Sequence, residues 1–299
     1  MSIPKVIPLD LDFQNVPGVI ASYLLPHAHG AALVECGPGS TKHTLVKRLS
    51  EHGYSSADVT DVFLTHIHLD HAGAAGWLAR QGAKIHVHGF GAPHLEDPTK
   101  LLASATRIYG NKMDSLWGEF LSVPPEQIAI PQDGVLLYVD GLEILPIETP
   151  GHASHHFVYL YEGVCFSGDV GGVRMGGLSA IRAPMPPPEF NLETWRSSLD
   201  RLSTFSISAI APTHFGIYPD AINHIDMLRK YLDRVDNWMQ INLPDCAEAA
   251  NLRPHFETWT NKLAEEDKLD GWSLQAYELA NPAFMSADGI FRYWRKFRS

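Results

Sequence analysis

The sequence predicts an α/β protein with an α-helical C-terminal region, and three observations carry that prediction. Short apolar runs ending in polar or glycine-containing punctuation alternate with helical patterns through the first two thirds of the chain. After Tyr218 the apolar spacing changes to three and four residues, the period of an amphipathic helix. The composition, 45% hydrophobic and 19% charged over 299 residues with no low-complexity tract, suits a chain that folds throughout and buries a sizeable core.

In order, strand-like runs lie at 19–25, 31–36, 61–64, 84–88, 135–139, 143–147, 157–161, 164–166 and 207–211. Helical patterns fall at 41–52, 73–81 and 192–204. Beyond them Ile225, Leu228, Leu232, Val235 and Met239 line one helix face, and further helical stretches cover 256–263 and 290–297. We therefore expect an α/β domain over 1–219 and a helical region over 220–299 packed against it, since no Ser/Gly linker marks a boundary. Two segments read as substrate-facing insertions: 101–132, which carries Tyr109, Trp117 and Phe120, and the Gly/Pro-rich 171–189.

Charge and cysteine usage narrow the function classes. A formal net charge of -11 repels a polyanion, so nucleic acid is not expected as a partner. No apolar run reaches the roughly 20 residues that cross a bilayer. Met1 to Asp12 interposes Pro4, Pro8 and two aspartates where a signal peptide needs an unbroken apolar stretch, so a cytoplasmic location is expected. Cys36, Cys165 and Cys246, odd in number and widely spaced, read as reduced thiols rather than a disulfide framework.

Sixteen histidines are unusual, and they cluster. At the end of one strand the chain runs Thr65-His66-Ile67-His68-Leu69-Asp70-His71-Ala72-Gly73. His66 and His68, two apart in extended chain, point to the same side and suit two bonds to one ion. Asp70 and His71 follow where the chain turns towards a helix, placed to reach a second ion. His152 (Thr-Pro-Gly-His), Asp169 (Ser-Gly-Asp) and His214 (Pro-Thr-His) each come just after a strand. A lone histidine at such a place is usually a satisfied structural residue; here the set shares one position, the end of a strand.

This pattern resembles the metallo-β-lactamase superfamily, whose hallmark is T-H-x-H-x-D-H followed by a G-H, a G-D and a final H, and the resemblance spans about Val19 to Gly216. It implies a four-layer αββα sandwich with the α-helical C-terminal region appended. It further implies that His66, His68 and His152 hold one metal, that Asp70, His71 and His214 hold a second, and that Asp169 bridges them. Such a donor set suits two divalent ions, zinc first and iron or manganese as alternatives. Two adjacent cations can share a water, lower its pKa, present a bridging hydroxide and polarise a carbonyl, with Asp70 orienting the nucleophile.

The implied activity is hydrolysis of a small-molecule ester, thioester or lactone, as in glyoxalase II and the quorum-quenching lactonases, which the seven-residue set resembles. Secreted β-lactamases with the same run lack the bridging aspartate and need export. The competing readings are a mononuclear iron persulfide dioxygenase, whose ligands are a subset of these, and a non-catalytic metal-binding module. Tyr109, Trp117 and Arg182 are candidate substrate contacts, with Arg174 and Arg182 as anchors for an anionic group. The basic cluster Arg292, Arg295, Lys296 and Arg298 reads as a solvated helix end favoured by the helix dipole. His155 and His156 could support the ligands, Glu148 could hold a ligand imidazole, and His86 and His88 read as ordinary strand residues. The expected partner is a small molecule, with neither nucleic acid nor membrane, and the aromatic-rich C-terminal region offers a surface for a homodimer.

Overall fold

The computed structural model describes residues 6–176, 178–244 and 246–298. Its strands form two sheets. One takes β1 (Ile7–Asp10), β2 (Ala21–His27), β3 (Gly30–Val34), β4 (Val59–Phe63), β5 (Lys84–His86) and β6 (Ile128–Ala129) in that spatial order. The other, β7 (Leu137–Val139), β8 (Leu142–Glu148), β9 (Phe157–Tyr161), β10 (Val164–Phe166) and β11 (Ala209–Ala211), is likewise ordered by sequence.

Side-chain alternation along these strands builds the layers. Tyr23, Leu25, Ala32, Val34 and Phe63 face inward and meet Phe157, Tyr159, Val164, Phe166 and Ala211 of the second sheet. Their neighbours Leu24, Leu33 and Val62 face outward, where Leu45 and Leu49 of the helix Lys42–Glu51 and Leu78 of the helix Ala75–Arg80 cover them. On the second sheet Val158, Cys165 and Ile210 face outward onto Trp195 and Leu199 of the helix Leu192–Leu202 and onto Leu228 and Leu232 of the helix Ala221–Asn242. Strands buried on both faces read as continuous apolar runs, which is why they were legible without a sharp alternation. The result is a four-layer αββα sandwich.

The helix Ala221–Asn242 thus closes the outer layer of the second sheet, and Ala249–Glu266, Gly271–Ala280 and Ala283–Phe297 follow it. Leu252, Phe256, Ile290 and Tyr293 join the same apolar cluster as the sheet residues. Two short strands and a C-terminal helix are among the elements that escape sequence reading. Strand β1 is four residues long and carries Pro8, tolerated on this edge strand. Strand β6 has two residues. The helix Gly271–Ala280 leaves Trp272 and Leu274 exposed and so lacks a clean apolar stripe. Among the described residues no helix is long and apolar enough to cross a membrane.

Arg182, expected to contact substrate, instead faces the protein and is 8% exposed. Its guanidinium donates to Asp267 Oδ2 at 2.7 Å and to the Ile181 carbonyl at 2.9 Å, and lies over the rings of Tyr231 and Tyr277. It ties the loop after Asp169 to the C-terminal helices. Arg174 is similarly engaged, donating to both carboxylate oxygens of Asp220 at 2.9 and 3.1 Å. Replacing Arg182 with Met should cost about 2 kcal/mol, the worth of a hydrogen bond to a charged partner. A lower midpoint in chemical denaturation with unchanged metal content is the expected result.

Candidate metal centre

Strands β8, β10 and β11 run in the same direction, because β9 is antiparallel to β8 and β10 while β11 is parallel to β10. The residues that follow their ends, His152, Asp169 and His214, therefore emerge at one edge of the second sheet. Strand β4 delivers Thr65 to His71 to the same place from the first sheet. Main-chain bonds fasten the sheets there: Phe157 N–H donates to Thr65 O at 2.8 Å and Ala21 N–H to Thr213 O at 2.9 Å. Glycines permit the close approaches. Gly151 has φ +143° and a Cβ there would lie 2.4 Å from Trp195 Cα; Gly168 has φ +49° and a Cβ would lie 2.4 Å from Thr65 Oγ1.

All seven residues singled out in the sequence converge, and they sort into two groups. In the first, His68 Nδ1 lies 2.9 Å from His66 Nε2 and 3.0 Å from His152 Nε2. Asp169 Oδ2 is 3.3 Å from His152 Nε2 and 4.0 Å from His66 Nε2. In the second, Asp70 Oδ2 is 3.6 Å from His71 Nε2 and 3.5 Å from His214 Nε2. Asp169 Oδ1 is 3.3 Å from His71 Nε2 and 3.4 Å from His214 Nε2. The two oxygens of one carboxylate thus face one group each.

Hydrogen bonds behind the rings decide what these nitrogens can hold. His152 Nδ1–H donates to Pro184 O and His214 Nδ1–H to Val19 O, both at 2.8 Å, so each neutral ring turns a bare Nε2 to the centre. Thr65 gives its hydroxyl proton to Glu35 and so accepts from His66 Nδ1–H, which leaves His66 Nε2 bare as well. Three ring nitrogens of the first group therefore converge with at most one proton among them, carried by His68. In the second group His71 Nε2, His214 Nε2 and Asp169 Oδ1 are buried with no hydrogen-bond partner among the described residues. Converging lone pairs and orphaned buried acceptors are costly unless a cation satisfies them. Nitrogen and oxygen donors of this kind fit a divalent metal ion.

Glu35 is the functional residue that sequence reading missed. It is 1% exposed and adopts φ +64° at the end of β3. Its carboxylate accepts from His71 Nδ1 at 3.0 Å, Thr213 Oγ1 at 3.2 Å, Thr65 N–H at 3.3 Å and the Thr65 hydroxyl. The available signal was a single acid inside an otherwise apolar run. Glu148 does not hold a ligand imidazole; it pairs with His88 at 3.2 Å. His86 donates to Asp61 at 2.6 Å and stacks on Phe63, away from the centre. His156 packs its ring 5.1 Å from that of His66 and bonds Thr149 at 2.9 Å, while His155 lies 3.4 Å from Glu189.

A cavity of about 380 Å³ opens onto the centre, with His68, Asp70, His152 and Asp169 in its wall. Tyr109 and Trp117 also line it and Arg182 does not. Its other walls come from 99–117, from 184–189 and from 278–286, so both insertions and the C-terminal helices contribute. Of the C-terminal basic cluster, Arg298 pairs with Glu193 and with Asp236 at 2.8 Å, and none of the four residues lines the cavity.

An αββα sandwich that gathers five imidazoles and two carboxylates at one sheet edge defines a class of metal-binding protein. The chain belongs to the metallo-beta-lactamase superfamily, whose family model matches residues 15–214. It is 27% identical over 221 residues to the metallo-beta-lactamase fold-containing protein ST1585 of Sulfurisphaera tokodaii, covering 72% of this chain and 82% of that one. It is 25% identical to the hydroxyacylglutathione hydrolase GloC of Haemophilus influenzae, over 65% of this chain and 83% of the relative. It is 24% identical to an atrochrysone carboxyl ACP thioesterase of Aspergillus fumigatus, over 69% of this chain and 40% of the relative. Among solved structures, ST1585 superimposes with TM-score 0.69 over 99% of this chain and 100% of its own, at 16% identity. The family protein TTHA1429 of Thermus thermophilus superimposes with TM-score 0.68 over 98% and 94%, at 22% identity. These superpositions speak to the fold.

Two predictions concern this centre. Glu35→Ala should weaken metal binding about 10- to 100-fold, the usual cost of removing a group that orients a ligand imidazole; competition with a chelator of known affinity measures it, and His86→Ala is the control expected to change little. The second is a pH order. Burial alone lowers His71, but Asp70, Asp169 and Glu35 carry it well above its ordinary value, and Asp169 and Asp70 raise His214 against burial. Burial, then the neighbouring imidazoles, holds His66 and His68 well below theirs, and burial lowers His152. As pH falls, protons therefore reach His71 and His214 first. In the metal-free chain, acidification should protonate His71 and His214 before His66, His68 and His152, an order that NMR of the imidazole ring protons checks.

Proposed function

We propose that this protein is a dinuclear metal-dependent hydrolase of a small-molecule ester, thioester or lactone. The observation that carries the reading is the placement of Asp169, whose two oxygens face one donor group each at 3.3 to 3.4 Å. Two divalent cations held there would supply the acidification of a shared water and the polarisation of an acyl oxygen. His66, His68 and His152 would hold one, Asp70, His71 and His214 the other, and Asp169 both.

The remaining work falls to the chain itself. Water's oxygen bonds to the acyl carbon, the acyl C–O or C–S bond breaks, and the departing alcohol or thiol takes up a proton. Asp70 lines the cavity and its side chain is 19% exposed, against 5% for Asp169, so it is the carboxylate open to the attacking water. Burial opposes its ionisation, yet His71 and His214 bring its pKa down to about 2. Held ionised, it would orient water by accepting its hydrogen. Trp117 and Pro184, both buried, narrow the solvent around the acyl group. The thioesterase and the hydroxyacylglutathione hydrolase among the relatives support acyl transfer to water as the reaction type.

Elemental mass spectrometry of protein purified without added metal or chelator tests the reading. Close to two equivalents of zinc, manganese or iron per chain are expected, falling to about one in Asp70→Ala with loss of most esterase, thioesterase or lactonase activity. One equivalent of iron alone, with oxygen uptake on a persulfide, would move the assignment to the dioxygenase. No metal bound or regained on reconstitution would overturn it.

A further inference from the structure

We propose that the substrate enters this cavity by an apolar, uncharged acyl group of several carbons, aliphatic or aromatic, and that a peptide-like anionic group is not what the site binds. The proposal rests on the hydrolase reading for the bond that is cut, and on the cavity alone for what is recognised. The lining surface is mostly apolar: Leu101, Ile108 and Leu116 come from the first insertion, and Leu279, Pro282 and Met285 from the C-terminal helices. At about 380 Å³ the space is that of a small-molecule site.

The charges around it decide against the alternative. Among the described residues Lys100 is the only lysine or arginine in the wall, and it is exposed. Glu189 and Glu278 also line the cavity and are exposed, so outside the metal centre the carboxylates and cationic side chains in its wall are two acids to one base. A ligand carrying two carboxylates, such as a glutathione conjugate, would meet no buried lysine or arginine there among the described residues, and the arginines expected to anchor an anionic group are engaged elsewhere: Arg182 with Asp267 and Arg174 with Asp220. Desolvating unpaired carboxylates costs free energy that burying methylenes regains. Tyr109 adds one polar contact. Its hydroxyl, in the cavity wall, donates to Met285 Sδ at 3.7 Å, a weak acceptor that a substrate oxygen could replace.

Two measurements on the metal-loaded full chain test this. The first is kcat/KM for p-nitrophenyl esters from acetyl to octanoyl, with S-lactoylglutathione and the octanoyl thioester of a small neutral thiol alongside. Each buried methylene is worth about fourfold, so a rise of at least about 100-fold along the series is expected, with the octanoyl thioester preferred to the glutathione one. Ile108→Asp, at a position 38% exposed and so tolerant of the change, should flatten that rise at least about tenfold. The second is calorimetric binding of n-alkanoates and of glutathione, where octanoate should bind tighter than acetate and with a more negative heat-capacity change. A flat series, or preference for the glutathione thioester, overturns the apolar site and leaves the hydrolase standing. Chain-length-dependent binding without turnover of any ester or thioester overturns the hydrolase and leaves the apolar site standing.

Discussion

A single buried carboxylate, Glu35, joins the two sheets to the imidazole cluster. It stands at the end of β3, accepts from Thr65 beyond β4, from Thr213 beyond β11, and from His71 itself. A buried carboxyl group is tolerated only when its polar atoms are hydrogen-bonded, so the positions of two strand ends and the His71 ring are set together. Thr65 then passes the order on: having given its proton to Glu35, it can only accept from His66. The orientation of rings in both groups follows from where one buried carboxyl group finds its donors.

The sandwich makes that arrangement affordable to the fold. Its apolar layers lie between and outside the sheets, and the polar residues collect at one edge, where parallel strand ends converge and glycines let backbone and side chains come close. Rings are fixed from behind by carbonyls of distant segments, Val19 for His214 and Pro184 for His152. Such support pre-organises the donors before any ion arrives, and pre-organised donors bind at lower entropic cost.

The cavity ties the chemistry to the rest of the molecule. Helix 99–109, the proline-rich stretch 184–188 and the corner at 278–286 meet above the centre. Arg182 fastens the loop that leads into the proline stretch to Asp267, and Tyr277 donates to Ala180 O at 2.7 Å. The C-terminal helices are therefore a wall of the candidate site as well as a cover for the second sheet. Recognition and stability are coupled through the same packing, and the charged residues of this region are spent on holding it together.

The convergence of the run from His66 to His71 was legible because its meaning is local: a period-two strand that turns into a helix sends neighbouring donor groups to one place, whatever lies elsewhere. His152, Asp169 and His214 were legible as strand-end residues following a Gly-His, a Gly-Asp and a Thr-His. The apolar runs announced the strands, and the three-four spacing after Tyr218 announced the long helix. Glu35 was hidden in an apolar run, and Arg182 looked available because sequence shows charge but not its partner. Which pairs of charges neutralise each other, and which apolar residues face an open cavity, depend on segments far apart in sequence meeting in space, as those that carry Phe13, Leu101 and Leu279 do around one cavity. Those meetings arise from the packing of whole layers, and local spacing carries no record of them.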